Sequence, residues 1–263
     1  MIGNESFLTF ENKYREPRKL EGVKSLVQIQ FASRGMTLTY FNDLFDLRKG
    51  DIVYVDGKLA GEQGVVIDIS YSFKIKLSQY HKVIALVNTE VHGDFYIAGS
   101  HLVTFGRDAL PKSQAITWFK APICDNEEYV VGDGYDAFDL NDLTQFEIDA
   151  EIAARGEKYY LDERVRYISI DGTNGYAIVQ GSDAHEVEFT YIDGQISRLF
   201  CDCYCSYNCK HELAVLLQLR KILSVIDKKY AEEYSKSGYF AAISKKTLLK
   251  YSFSAKSEGI ITL

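Results

Sequence analysis

The chain has 263 residues, of which 46% are hydrophobic and 25% charged, an ordinary balance for soluble folded domains and enough for one large or two modest ones. Its formal charge of −7 argues against a surface that adheres to nucleic acid everywhere. No run approaches ~18 apolar residues and the opening Met1-Ile-Gly-Asn-Glu-Ser lacks the marks of a signal peptide, so the expectation is a cytoplasmic protein with no membrane partner.

Residues 1–21 are polar and of mixed charge, and read as a loosely ordered lead. From 22 to 106 the chain reads as short strands: Val27–Phe31, Thr37–Phe41, Asp51–Val55, Val65–Ile69, Phe73–Leu77 and Val83–Val87. Glycines 50, 57, 61 and 64 punctuate them, which suits a small β-barrel. The stretch Gly50-Asp-Ile-Val-Tyr-Val-Asp-Gly57-Lys58-Leu-Ala-Gly61 resembles the KOW-type segment of SH3-like barrels, which implies contacts with nucleic acid or protein.

Residues 107–140 read as a connector in which Trp118 and Phe119 dock on the core and Cys124 is an ordinary thiol. Asp133, Asp136, Asp139 and Asp142 recur every third residue, but the ligand order of a calcium loop is missing, so a solvated acidic loop is expected. Asn141 or Asp142 is placed to cap a helix running to about Arg155. Four strands then follow, Val165–Ile170, Gly175–Gln180, Glu186–Tyr191 and Gln195–Phe200, joined by turns such as Asp193-Gly194. His81, His92, His101 and His185 show no partner at ligand spacing and read as surface or core residues.

The meander ends in Cys201-Asp-Cys203-Tyr-Cys205-Ser-Tyr-Asn-Cys209-Lys-His211, which holds four of the five cysteines. Thiolate and imidazole are the ligands of tetrahedral structural zinc. A reducing compartment favours metal over disulfide here. Cys201, Cys203, Cys209 and His211 form the favoured set, with Cys205 as an alternative ligand, and one structural Zn²⁺ is the expected cofactor. Apolar residues at 213, 216, 217, 219, 222, 223 and 226 follow at helical spacing, so the metal would tie the meander to a helix.

Cys-x-Cys, a spacer, Cys-x-His and then Ala214-Val-Leu216 resembles the bacterial type of SWIM zinc finger. Arg155-Gly156-Glu-Lys-Tyr159-Tyr160 and Val179-Gln180-Gly181-Ser182 are similar to that family's lead-in strands, and the resemblance spans roughly 145 to 226. The five-residue spacer is shorter than the family usually shows, and Tyr204 replaces its common proline. The resemblance implies DNA or protein binding beside helicases.

The fold class expected is α+β: a small N-terminal barrel, then a meander and helix carrying a zinc knuckle over 141–229, then a basic tail over 230–263. Residues 201–263 hold ten Lys/Arg against six Asp/Glu, whereas the rest of the chain is acidic. Lys210, Arg220, Lys221, Lys228, Lys229, Lys245, Lys246 and Lys250 are the candidate phosphate contacts. No phosphate loop, nucleophile elbow, zinc-protease motif or dinucleotide fingerprint is present, so the expectation is not an enzyme. The role expected is that of a nucleic-acid-binding accessory factor, for DNA or RNA, working with a separate motor such as a helicase. The alternative is a protein-interaction adaptor in which zinc only holds the fold.

Overall fold

The computed structural model describes residues 7–10, 23–122 and 137–254. Cys124, Asp133, Asp136, most of the 1–21 lead and the end of the 230–263 tail lie outside the described residues. In chain order the strands are β1 Phe7–Phe10, β2 Ser25–Phe31, β3 Met36–Asn42, β4 Ile52–Val55, β5 Gln63–Ser70, β6 Val83–Leu86, β7 Gly93–Ala98 and β8 His101–Thr104. Helix α1, Lys112–Thr117, comes next, then β9 Phe138–Asp139 and α2 Ala150–Leu161. The second half runs β10 Val165–Asp171, β11 Asn174–Gln180, β12 Ala184–Ile192, β13 Gln195–Cys201, α3 Lys210–Lys229, α4 Ala231–Ser237, β14 Tyr239–Ser244 and α5 Lys245–Ser254.

The molecule is α+β with two antiparallel sheets. The smaller has the order β3-β2-β5-β4-β6, and a single parallel bridge between Phe41 and Lys82 joins its two edges. The larger has nine strands, β1-β7-β8-β14-β10-β11-β12-β13-β9. Side chains alternate across its faces. Phe240 and Ala242 of β14 enter the core under α3, whereas Tyr239, Ala241 and Ile243 enter a second core shared with Tyr54, Trp118 and α5. Close approach also sets the helix layer. A Cβ at Gly156 of α2 would lie 2.9 Å from Leu213 and 3.1 Å from the Lys210 carbonyl, so the glycine lets α2 settle against the start of α3.

Several expectations need correction. The barrel span of 22–106 is too long: β7 and β8 belong to the large sheet, and the small one ends at Leu86. Phe73–Leu77 alternates but pairs with no described strand, and Phe73 instead packs edge-on against Phe41. The lead contains β1, which pairs with β7. The connector contributes α1, while Trp118 docks on the core as expected, buried and stacked on Tyr251 at 4.7 Å. Residues 155–160, expected as a lead-in strand, are helical, because Asp149 accepts from the backbone amides of Glu151 and Ile152 and starts α2 there. Asp142 caps only a short 3₁₀ turn. The tail is no tail over 239–244: β14 lies between β8 and β10, buried on both faces. Gly238, at φ +59°, ends α4 and frees the chain to turn into it.

Candidate metal centre

β10 to β13 form an antiparallel meander whose last residue is Cys201. Val187 of β12 faces Cys201 across the ladder, so the register of β12 fixes where the first thiol sits. Asp202 and Cys203 follow, and the chain returns at Cys209 to begin α3. Cys209 is the N-cap of that helix. Its Sγ accepts from the Glu212 amide at 3.5 Å, and Glu212 Oε2 accepts from the Cys209 amide at 2.6 Å. This reciprocal capping box places sulfur at the positive end of a twenty-residue helix dipole.

The ligand atoms of Cys201, Cys203, Cys209 and His211 all lie within 4.8 Å of one another, close enough to hold one metal ion. His211 Nδ1 stands 3.6 Å from Cys201 Sγ and 3.8 Å from Cys209 Sγ. Cys201, Cys209 and His211 are buried and Cys203 is partly so. Cys205 is exposed and lies outside this group. Protonation in the cluster is unequal. A hydrogen bond from the Cys201 thiol, with further bonds from His211 and the Glu212 amide, outweighs the opposing effect of burial and leaves Cys209 with its pKa lowered. Cys201 is raised, chiefly through that same bond with Cys209. Thiolate character is thus favoured at Cys209, and a bound cation would draw protons from the other two sulfurs.

A second layer, not foreseen from the sequence, surrounds the donors. Asp202 lies between two of them and accepts from the Glu186 amide at 3.0 Å; its Oδ1 is also 3.1 Å from His185 Nδ1. Lys120 Nζ bridges Asp202 and Glu186 at 2.5 and 2.9 Å. Burial disfavours the charge on Lys120, yet its bonds to Asp202 and Glu186 carry its pKa above the usual lysine value. His185 stacks on His211 with ring centroids 4.4 Å apart. Tyr159 meets His211 edge-on at 5.4 Å and also lies 5.0 Å under the Lys210 ammonium. His185 is therefore part of the site's frame. Its only sequence signal was a place in the strand that pairs with the Cys201 strand. Such outer partners orient ligands, so Asp202→Asn is expected to weaken divalent-ion affinity about tenfold in chelator competition, with the fold intact by circular dichroism.

The candidate phosphate contacts do not converge. Lys210, Arg220, Lys221, Lys228 and Lys229 lie on α3, and among the described residues none has an ion-pair partner. Lys245, Lys246 and Lys250 lie on α5, which packs on the opposite face of the large sheet. Among the described residues no helix is long and apolar enough to cross a membrane. Compared with protein-family models, curated proteins and solved structures, the chain matches none of them.

Proposed function

We propose that the chain is a non-catalytic binding protein of the SWIM kind. In this reading a structural zinc ion at Cys201, Cys203, Cys209 and His211 clamps β13 to α3. The observation that carries it is the closed set of three sulfurs and one imidazole nitrogen within 4.8 Å. Tetrahedral zinc with bonds of about 2.3 Å to sulfur and about 2.0 Å to nitrogen needs sulfur–nitrogen edges of roughly 3.5 Å. The edges of 3.6 and 3.8 Å from His211 suit that ion. Four protein donors leave no open position for substrate, which favours a structural role. The small sheet is proposed to curl into a barrel, supported by the bridge at Phe41 and Lys82.

The proposed partner is nucleic acid, met along the outside of α3. Lys221 and Lys228 follow Lys210 by roughly three and five helical turns, so the three share one stripe of the helix. Phosphate contacts of this kind release counterions. Binding to single- and double-stranded oligonucleotides over a salt series is therefore expected to weaken steeply as salt rises. The double variant Lys221→Glu, Lys228→Glu should lose about tenfold or more in affinity at low salt, with a shallower salt slope. Flat, negligible binding at low salt refutes this partner. The adaptor reading would then gain, because Tyr204 and Tyr207 stand almost fully exposed beside the knuckle and tyrosine is enriched at protein interfaces.

A further inference from the structure

A cleft of about 930 Å³ opens between the small sheet and the large one, on the side of the molecule away from α3. Its floor is aromatic and internally satisfied. The Tyr251 hydroxyl donates to the Trp118 carbonyl, and Gln63 Nε2 donates to Tyr54 Oη at 2.8 Å and to the Trp118 carbonyl at 3.0 Å. Phe119 is half-buried at its edge. The rim carries Arg166, Lys250 and Lys246, the last ion-paired with Glu163 at 3.0 Å, and the one acid lining it, Glu62, is already held by Arg34 through bonds of 2.9 and 2.7 Å.

Arg166 is the informative residue. In β10, Val165 pairs with Val179 and Tyr167 with Ile178, so Arg166 is the extra residue of a β-bulge. Strict alternation with Ile168 and Ile170 would drive its side chain into the apolar core under α3. The bulge turns it into the cleft instead, the re-aiming for which bulges are used beside binding sites. There the guanidinium is half-buried, and among the described residues it has no hydrogen-bond or ion-pair partner. Burial, then the neighbouring Arg164, lowers its pKa, with Glu163 offsetting them only in part. A partly desolvated cation of this kind is stabilised by an anion.

We propose that this cleft binds a nucleotide unit, with phosphate on Arg166, Lys246 and Lys250 and the base against Phe119. An arginine fork with two ammonium groups suits a phosphate dianion. The volume lies within the range of small-ligand pockets, roughly 300–1,000 Å³, and exceeds what inorganic phosphate fills. The inference depends neither on the metal nor on the α3 lysines.

The single tryptophan of the chain, Trp118, lies in the floor, so its emission reports occupancy. The full-length protein is titrated with AMP, ATP, pyrophosphate and a short oligothymidylate. Saturable quenching by AMP and ATP is expected if free nucleotide is the ligand, and by the oligomer alone if the cleft takes one unit of a strand. Arg166→Gln and Lys250→Glu, each with a native melting curve, should weaken binding about tenfold or more, as loss of a charge-assisted contact requires. Phe119→Ala should weaken AMP while sparing pyrophosphate. No quenching by any probe at millimolar concentration overturns the proposal, as does a folded Arg166→Gln that titrates like wild type. Binding that is indifferent to Phe119 overturns the nucleotide assignment.

Discussion

Cys209→Ser is expected to abolish stoichiometric zinc and to lower the melting temperature by about 10–15 °C, the shift that roughly 4–5 kcal/mol produces in a chain of this size. The choice of serine separates two roles of the residue. Cys209 caps α3 through its Sγ as well as offering a metal donor, and serine is a good N-cap, so the capping bond survives the substitution. What is lost is the link between the end of β13 and the start of α3. The loss stops short of complete unfolding because the core beneath α3 is large, with Leu213, Leu216, Leu219, Ile222 and Ile226 buried against the sheet. Metal content per chain and thermal melts with and without a strong chelator check this. Cys205→Ser is the control: its thiol is exposed and outside the four-donor group, so one ion per chain and a wild-type melt are expected. If Cys205→Ser loses the ion while Cys201→Ser keeps it, the ligand set shifts to Cys205. If freshly reduced wild-type protein holds no ion and chelator leaves its melt unchanged, the clamp does not exist.

The four donors were legible because they are local. Eleven residues of sequence contain them, and the turn chemistry around them makes a hairpin end and a helix start. The meander was legible too, because β12 and β13 alternate and Asp193-Gly194 marks their turn. What escaped depends on register and on pairing at long range. Tyr239–Ile243 is a continuous apolar run, the signature of a strand buried on both faces, but only its neighbours Val103 and Ile168, each far away in sequence, give it a place. Asp202, His185 and Lys120 meet only because β12 registers against β13 and the end of α1 docks nearby. Arg166 is the sharpest case. Period-two reading sends it into the core, and a single extra residue in the ladder sends it to the cleft.

Acid sensitivity should come from His101, a residue that sequence reading left as ordinary packing. It is fully buried in β8, opposite Ser244 of β14. Its Nε2 lies 2.9 Å from the Val165 carbonyl, which only accepts, so Nε2 carries the proton; its Nδ1 then accepts from Ser100 Oγ at 3.0 Å. The neutral ring is therefore satisfied at both nitrogens, and a second proton would displace the serine bond inside the core. Burial, only partly offset by the Val165 bond, pushes its pKa down to about 4. In the unfolded chain a histidine titrates near 6.5. Between these values the unfolded state binds a proton that the folded state refuses, so stability falls as pH falls. The loss begins near pH 6.5, reaches about 2 kcal/mol by pH 5 and levels off at about 3 kcal/mol below pH 4. His101→Gln places an amide donor near the Val165 carbonyl and does not titrate. Urea unfolding of both proteins from pH 7.5 to 4.5 is expected to show the variant losing about 2 kcal/mol less than wild type by pH 5. Ion release from the cysteine cluster acts on both proteins alike and cancels in the difference. Parallel stability curves would show that His101 takes up its proton in the folded state, and the core around it would then have to contain a route for water.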